Sequence, residues 1–154
     1  MKVLILTLGV VLLALSPSVF LGQTHGPMGF DQGATTHHFY LYESGGAIEV
    51  SVHDPDDATS LSTVRHHLKK LPREFGVGDF STPRAVHQHV LVNGADALER
   101  LASRIEYKYR DIEPGGRVEI ITADGEALAA VHTFLRFQIS NHQTGDALEV
   151  TMTP

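Results

Sequence analysis

GGAIEVSVHD (residues 45–54) and GGRVEIITAD (residues 115–124) decide the fold of this chain. The two stretches match at a constant offset of 70 residues, and in each a Gly-Gly pair leads into alternating apolar and polar side chains. Alternation of period two marks a half-buried strand. Working outward, residues 37–43 alternate too, with Phe39 and Leu41 on one face and His38, Tyr40 and Tyr42 on the other. Gly-Gly supplies the positive φ angles of a two-residue hairpin loop, so Ser44-Gly45-Gly46-Ala47 predicts a tight turn. That turn sets Leu41 against Val50, Phe39 against Val52 and His38 against His53. The apolar faces then coincide, so the register supports itself. In the second stretch Ile105, Tyr107 and Tyr109 alternate, Pro114-Gly115-Gly116 turns the chain, and Val118, Ile120 and Ile121 form the returning strand.

A helix follows each hairpin. Leu61, Val64, Leu68 and Leu71 recur at helical spacing over residues 59–71, and Pro72 is expected to end or kink that helix. Residues 95–105 predict a second helix through Leu98, Leu101 and Ile105. Asp124 caps a third, which runs to about His142 and stops at Gly145. The connection over residues 76–94 is expected to hold a short strand at residues 86–92. TVRHHL (63–68) matches AVHTFL (130–135), which extends the repeat with a small gap. One ββα unit cannot bury its own sheet face, whereas two side by side can. The prediction is an α+β fold: duplicated ββα units forming a four-stranded antiparallel sheet, with helices packed on one face. Hairpins 36–53 and 105–122 build the sheet, and helices 59–71 and 124–142 cover it. Phe39, Leu41, Val50, Val52, Leu68, Ile120, Leu135 and Ile139 are the expected core.

Composition sets the limits. At 154 residues and 42% hydrophobic, the chain fits one domain with one modest core. The absence of Cys excludes disulfides, thiolate metal sites and Cys nucleophiles. A net charge of −6 argues against general nucleic-acid binding. Lys2 followed by 13 apolar or small residues (3–15) and Ser16-Pro17-Ser18 reads as a secretory signal. The stretch is too short for a comfortable membrane span, so none is expected after cleavage. The expected organisation is a signal peptide over 1–18, an irregular lead-in arm over 19–34, one α+β domain over 35–146 and a short tail over 147–154. The location is periplasmic or secreted.

The compositional anomaly is 10 His in 154 residues, roughly three times ordinary usage. His37 shares the face of Phe39 and Leu41 and points to the helices, while His38 lies on the open face. His67 lies on the buried stripe of the first helix, and His132 and His142 on that of the third. Ten helical residues put His132 and His142 about 15 Å apart, too far to share one ion. Buried neutral imidazoles need partners, whether hydrogen-bonding groups or a metal. A two-fold axis normal to the sheet would bring His142 to His37, with Met28 or Asp31 of the arm close by. His87-Gln88-His89 on an extended segment would put two rings on one side, a chelating spacing. Phosphate loops, dinucleotide fingerprints, nucleophile elbows and H-E-x-x-H are absent.

M-G-F-D-Q (28–32), T-T-H-H-F (35–39), G-D-F-x-x-P (78–83), A-L-A-A-V-H (127–132) and L-R-F-Q-I-x-x-H-x-T-G-D (135–146) resemble motifs of a group of small exported, functionally uncharacterised bacterial proteins. The resemblance spans about residues 26–146. It implies an exported single domain with His at 37, 38, 67, 87, 132 and 142. The chain departs from the group at Pro72 and at His53.

The expected function is transition-metal binding, with copper or zinc held by imidazoles drawn from His37, His38, His67, His87, His132 and His142. Imidazole without Cys suits such ions. A non-catalytic periplasmic module with a protein partner and structural histidines is the alternative. A small His-dependent or metal-dependent enzyme is the third reading.

Overall fold

The structure, a computed structural model, describes residues 26–88 and 90–152. The expected signal peptide and the start of the arm lie outside the described residues. No helix among the described residues is long and apolar enough to cross a membrane.

Two hairpins form one antiparallel sheet. Strands β1 (Thr35–Tyr42), β2 (Gly45–Val52), β3 (Glu106–Ile112) and β4 (Gly115–Ile121) lie in the order β1-β2-β4-β3. Helix α1 (Ala58–Gly76) packs chiefly on β3 and β4, and α4 (Gly125–His142) on β1 and β2, so each helix covers mainly the other unit's hairpin. Short helices α2 (Ser81–Val86) and α3 (Ala95–Leu101) complete the helical layer. All eight expected core residues are buried, from Leu135 at 0% to Phe39, Val52 and Ile139 at 4% exposure.

The repeat is a two-fold in three dimensions. Adding 70 to both members of each β1–β2 pair from Thr36↔Ser51 to Tyr42↔Gly45 gives a β3–β4 pair: Tyr42↔Gly45 becomes Ile112↔Gly115, and Phe39↔Ile48 becomes Tyr109↔Val118. Ile48 and Val118 face each other across the β2–β4 seam, at the centre of the symmetry. The helices correspond at an offset of 67, as the TVRHHL and AVHTFL match implies. Arg65 donates to the carbonyls of Ile112 and Gly115, and its counterpart His132 donates to those of Tyr42 and Gly45.

The hairpin register differs from the expected one. The loop is Glu43-Ser44, not Gly45-Gly46, so Leu41 pairs with Gly46, Phe39 with Ile48 and His38 with Glu49. The expected His38–His53 pair therefore does not form; His53 instead meets the hydroxyl of Thr36 at 2.9 Å. Both registers put the same residues inside, because they differ by an even number of residues. The glycines serve close approach rather than the turn. A Cβ on Gly45 would lie 1.9 Å from the Ile120 carbonyl oxygen, and one on Gly115 1.9 Å from that of Val50. A Cβ on Gly46 would lie 2.3 Å from a Leu135 methyl, and one on Gly116 2.9 Å from a methyl of its counterpart Leu68.

Two further expectations are corrected. Pro72 does not end α1, which runs on to Gly76. The backbone bond that Pro72 cannot donate is offset by burial of the following turn: Phe75 is 1% exposed and stacks on Phe80 at 4.4 Å. Of the stretch expected as a strand, the described residues 86–88 and 90–92 form none. Asp79 accepts the backbone N–H of Ser81 and starts α2, and the Val90 N–H bonds back to the His87 carbonyl in a turn.

Both ends of the described segment dock on the body. Met28 and Phe30 of the arm are 8% and 4% exposed. In the tail, Thr151 bonds to β1 through the Leu41 carbonyl and the Glu43 N–H, which covers part of that sheet edge.

Candidate functional site

Four of the six candidate histidines gather at one end of the helix–sheet interface. His37 arrives from the inner face of β1, His67 from α1, His87 from the turn after α2 and His142 from the last turn of α4. All four line a cavity of about 60 Å³, shared with Met28, Gln138 and an apolar wall. That is space for roughly four waters at about 15 Å³ each. The expected approach of His142 to His37 is met: their rings stack with centroids 5.4 Å apart. The His142 and His87 rings meet edge to face at 5.1 Å. Phe30 of the arm stacks on His37 at 5.8 Å and meets His67 edge-on at 5.4 Å.

Burial keeps the His37, His67 and His142 imidazoles neutral. Burial, reinforced by His142, His67 and His38, pushes His37 down to about 4. Burial and then Lys70 do the same to His67, against the pull of Glu74. His142 falls to about 4 through burial and the neighbouring His87. Neutral imidazole carries the lone pair that a metal or a hydrogen-bond donor requires. His87 Nε2 meets Gln138 Oε1 at 3.0 Å. The amide oxygen accepts, so His87 donates there. His37 Nε2 is buried and has no hydrogen-bond partner among the described residues.

An open depression of about 230 Å³ lies on the other side of His37 and His142, with Gln32, Thr35, Thr36 and Thr144 as its remaining walls. The same two imidazoles thus line both pockets.

The other candidates stand apart. His132 Nε2 lies 2.9 and 3.0 Å from the carbonyls of Tyr42 and Gly45, so it carries a hydrogen and binds the hairpin end. His38, on the open sheet face, directs Nδ1 to Asp146 Oδ1 at 2.8 Å. Asp146 Oδ2 accepts from the Phe39 N–H and the Thr144 hydroxyl. Burial opposes ionisation of Asp146, and these hydrogen bonds outweigh it, holding the carboxyl below its usual range. Of the two arm residues offered as neighbours of His37, Met28 lines the cavity, and Asp31 caps the turn at Gln32–Ala34 through the Gly33 N–H. The extended H-x-H reading fails because His87 follows a helix; His89 lies outside the described residues. Among the described residues, no three or more His, Asp or Glu side chains form a ligand group for one ion.

Sequence reading missed Gln138, whose signal was a polar residue four positions before His142 on an apolar helical stripe. The two-fold supplies a comparison the sequence did not. Under the offsets above, His142 corresponds to Phe75, His37 to Tyr107 and His67 to Phe134. Phe75 and Tyr107 do meet, edge to face, at 5.6 Å. The match continues past the helix ends, where Gly78 and Gly145 share a φ of 78° and Asp79 and Asp146 follow.

Comparison with protein families, curated proteins and solved structures gives no match. The molecule's own two halves are therefore the available control on which side chains this fold requires.

Proposed function

We propose that this protein binds a transition metal, copper or zinc, at His37 and His142, in the exported location its N-terminal sequence suggests. The observation that carries the reading is the contrast between the halves. At one end of the sheet the fold is completed by Phe75 and Tyr107; at the equivalent place it holds His142 and His37. Hydrocarbon-rich rings meet the packing need, so imidazoles there add cost unless their nitrogens are used. His37 Nε2 is buried without a partner among the described residues, as is the Tyr107 hydroxyl at the equivalent place, so the contrast rests on His142 standing where the other half has Phe75.

Spacing supports the same reading. Two imidazoles on one ion, with metal–nitrogen distances near 2 Å, hold their ring centroids about 5 Å apart. The His37–His142 separation is 5.4 Å. The surface hollow that shares His37 and His142 offers an approach.

The test copies one half onto the other. The double variant His37→Tyr, His142→Phe, purified without a polyhistidine tag, should keep the wild-type circular dichroism. It should lose the Cu(I), Cu(II) or Zn(II) binding that the wild type shows by competition with a chromophoric chelator. Metal binding unchanged in a folded double variant would end the proposal.

A further inference from the structure

Metal binding at His37 and His142 leaves the ion open, and the choice of ion rests on that reading. We infer that the site selects Cu(I), and that Met28 of the N-terminal arm supplies a thioether ligand beside His37 and His142.

Charge is the first reason. The cavity lining contains imidazoles, Gln138, Thr82, Met28 and hydrocarbon, with no carboxylate. Acids in the surroundings are engaged elsewhere. Asp31 caps the Gln32–Ala34 turn, Glu74 meets Lys70 and the Thr82 hydroxyl, and Asp146 holds His38, the Phe39 N–H and Thr144. A dication held only by neutral ligands between largely apolar walls keeps its full double charge. Desolvation cost grows with the square of charge, so a monocation meets about a quarter of it.

Ligand number is the second. Zn(II) takes four tetrahedral ligands, three or more of them from the protein. Among the described residues, His, Asp and Glu do not supply such a group. Cu(I) is satisfied by as few as two imidazoles and accepts a thioether as a third donor.

Position is the third. Met28 is 8% exposed and lines the same cavity as His37 and His142. A turn closed by the Gly29 N–H on the Gly26 carbonyl, with Gly29 at φ 78°, lays it there. Two residues on, Phe30 stacks against His37 and fixes the arm. The arm thus places the one thioether of the lining in the cavity that His37, whose Nε2 lacks a partner among the described residues, also lines.

The experiment uses the purified, untagged protein under reducing, anaerobic conditions. Cu(I) is titrated against bathocuproine disulfonate, Zn(II) against a zinc-responsive dye, and the copper-loaded protein is examined by X-ray absorption. Cu(I) should bind at least about a hundredfold more tightly than Zn(II), with nitrogen and one sulfur around copper. Met28→Leu keeps the apolar volume; it should remove the sulfur, weaken Cu(I) about tenfold and leave Zn(II) unchanged. Zn(II) binding as tight as Cu(I), or a sulfur-free copper shell in the wild type, would overturn the inference. Loss of copper in His142→Phe with no effect of Met28→Leu would defeat the Met28 assignment and leave imidazole binding intact. Failure of the wild type to bind either ion would defeat both. The wild-type absorption spectrum decides the sulfur question even if Met28→Leu does not fold.

Discussion

Arg65 and His132 make the same pair of hydrogen bonds in opposite halves of the molecule. Arg65 reaches the carbonyls of Ile112 and Gly115 at 3.1 and 3.0 Å; His132 reaches those of Tyr42 and Gly45 at 2.9 and 3.0 Å. The two-fold thus extends from backbone register to individual donors. His132 is 9% exposed, so its removal strands two acceptors in a dry place. We expect His132→Ala to destabilise the fold by about 2–4 kcal/mol. Urea denaturation should show that loss, and metal titration of the same variant, at a temperature where it is folded, should match the wild type.

The cavity histidines predict acid lability. Burial holds His37, His67 and His142 at about 4 in the fold, against 6.5 as the ordinary value. The unfolded chain therefore takes up protons first as pH falls. The stability these groups contribute is whole above about pH 6.5, declines through the window down to about pH 4 and levels off below it. His37 and His67 should each account for roughly 1–3 kcal/mol of that decline. Denaturation midpoints across this range check it, and His37→Tyr, His142→Phe should flatten the slope.

The paired glycines predict an unequal cost. A Cβ on Gly46 meets the Tyr40 carbonyl oxygen at 2.4 Å as well as Leu135, whereas on Gly116 it meets only side-chain atoms of Leu68 and Tyr109, at 2.9 Å or more. Side-chain ends can shift and a strand carbonyl cannot. Gly116→Ala should cost about 1–2 kcal/mol, and Gly46→Ala about 3 kcal/mol or more. Equal thermal shifts for the two variants would contradict this difference in packing.

Asp146 ties the end of α4 to the edge of β1 through His38, the Phe39 N–H and Thr144. Asp146→Ala leaves the Phe39 N–H without that acceptor and should cost about 1–3 kcal/mol. Amide exchange at Phe39 should accelerate in this variant.

Much of the architecture was legible in the chain. Period-two and helical spacing assigned both hairpins, both long helices and the inner face, because side-chain direction follows local geometry. The offset repeat gave the duplication, and two-fold reasoning brought His142 to His37. The exact pairing of β1 with β2 was not legible. Alternation cannot separate registers that differ by an even number of residues, and Gly45-Gly46 mark a close approach as readily as a turn. Nor did local rules carry α1 past Pro72, since the stacking of Phe75 on Phe80 comes from a residue beyond the helix.

The histidines divide along the same line. The sequence by itself determined that His37, His67, His132 and His142 face inward, because facing is set by helix and strand periodicity. Only the tertiary structure decided what each one meets. His132 ends on two carbonyls across the molecule; His37, His67, His87 and His142 end around one cavity; His38 ends on Asp146. Those partners lie on other elements, many of them far along the chain. Which groups share a site is fixed by how helices and strands pack, and no local pattern records that.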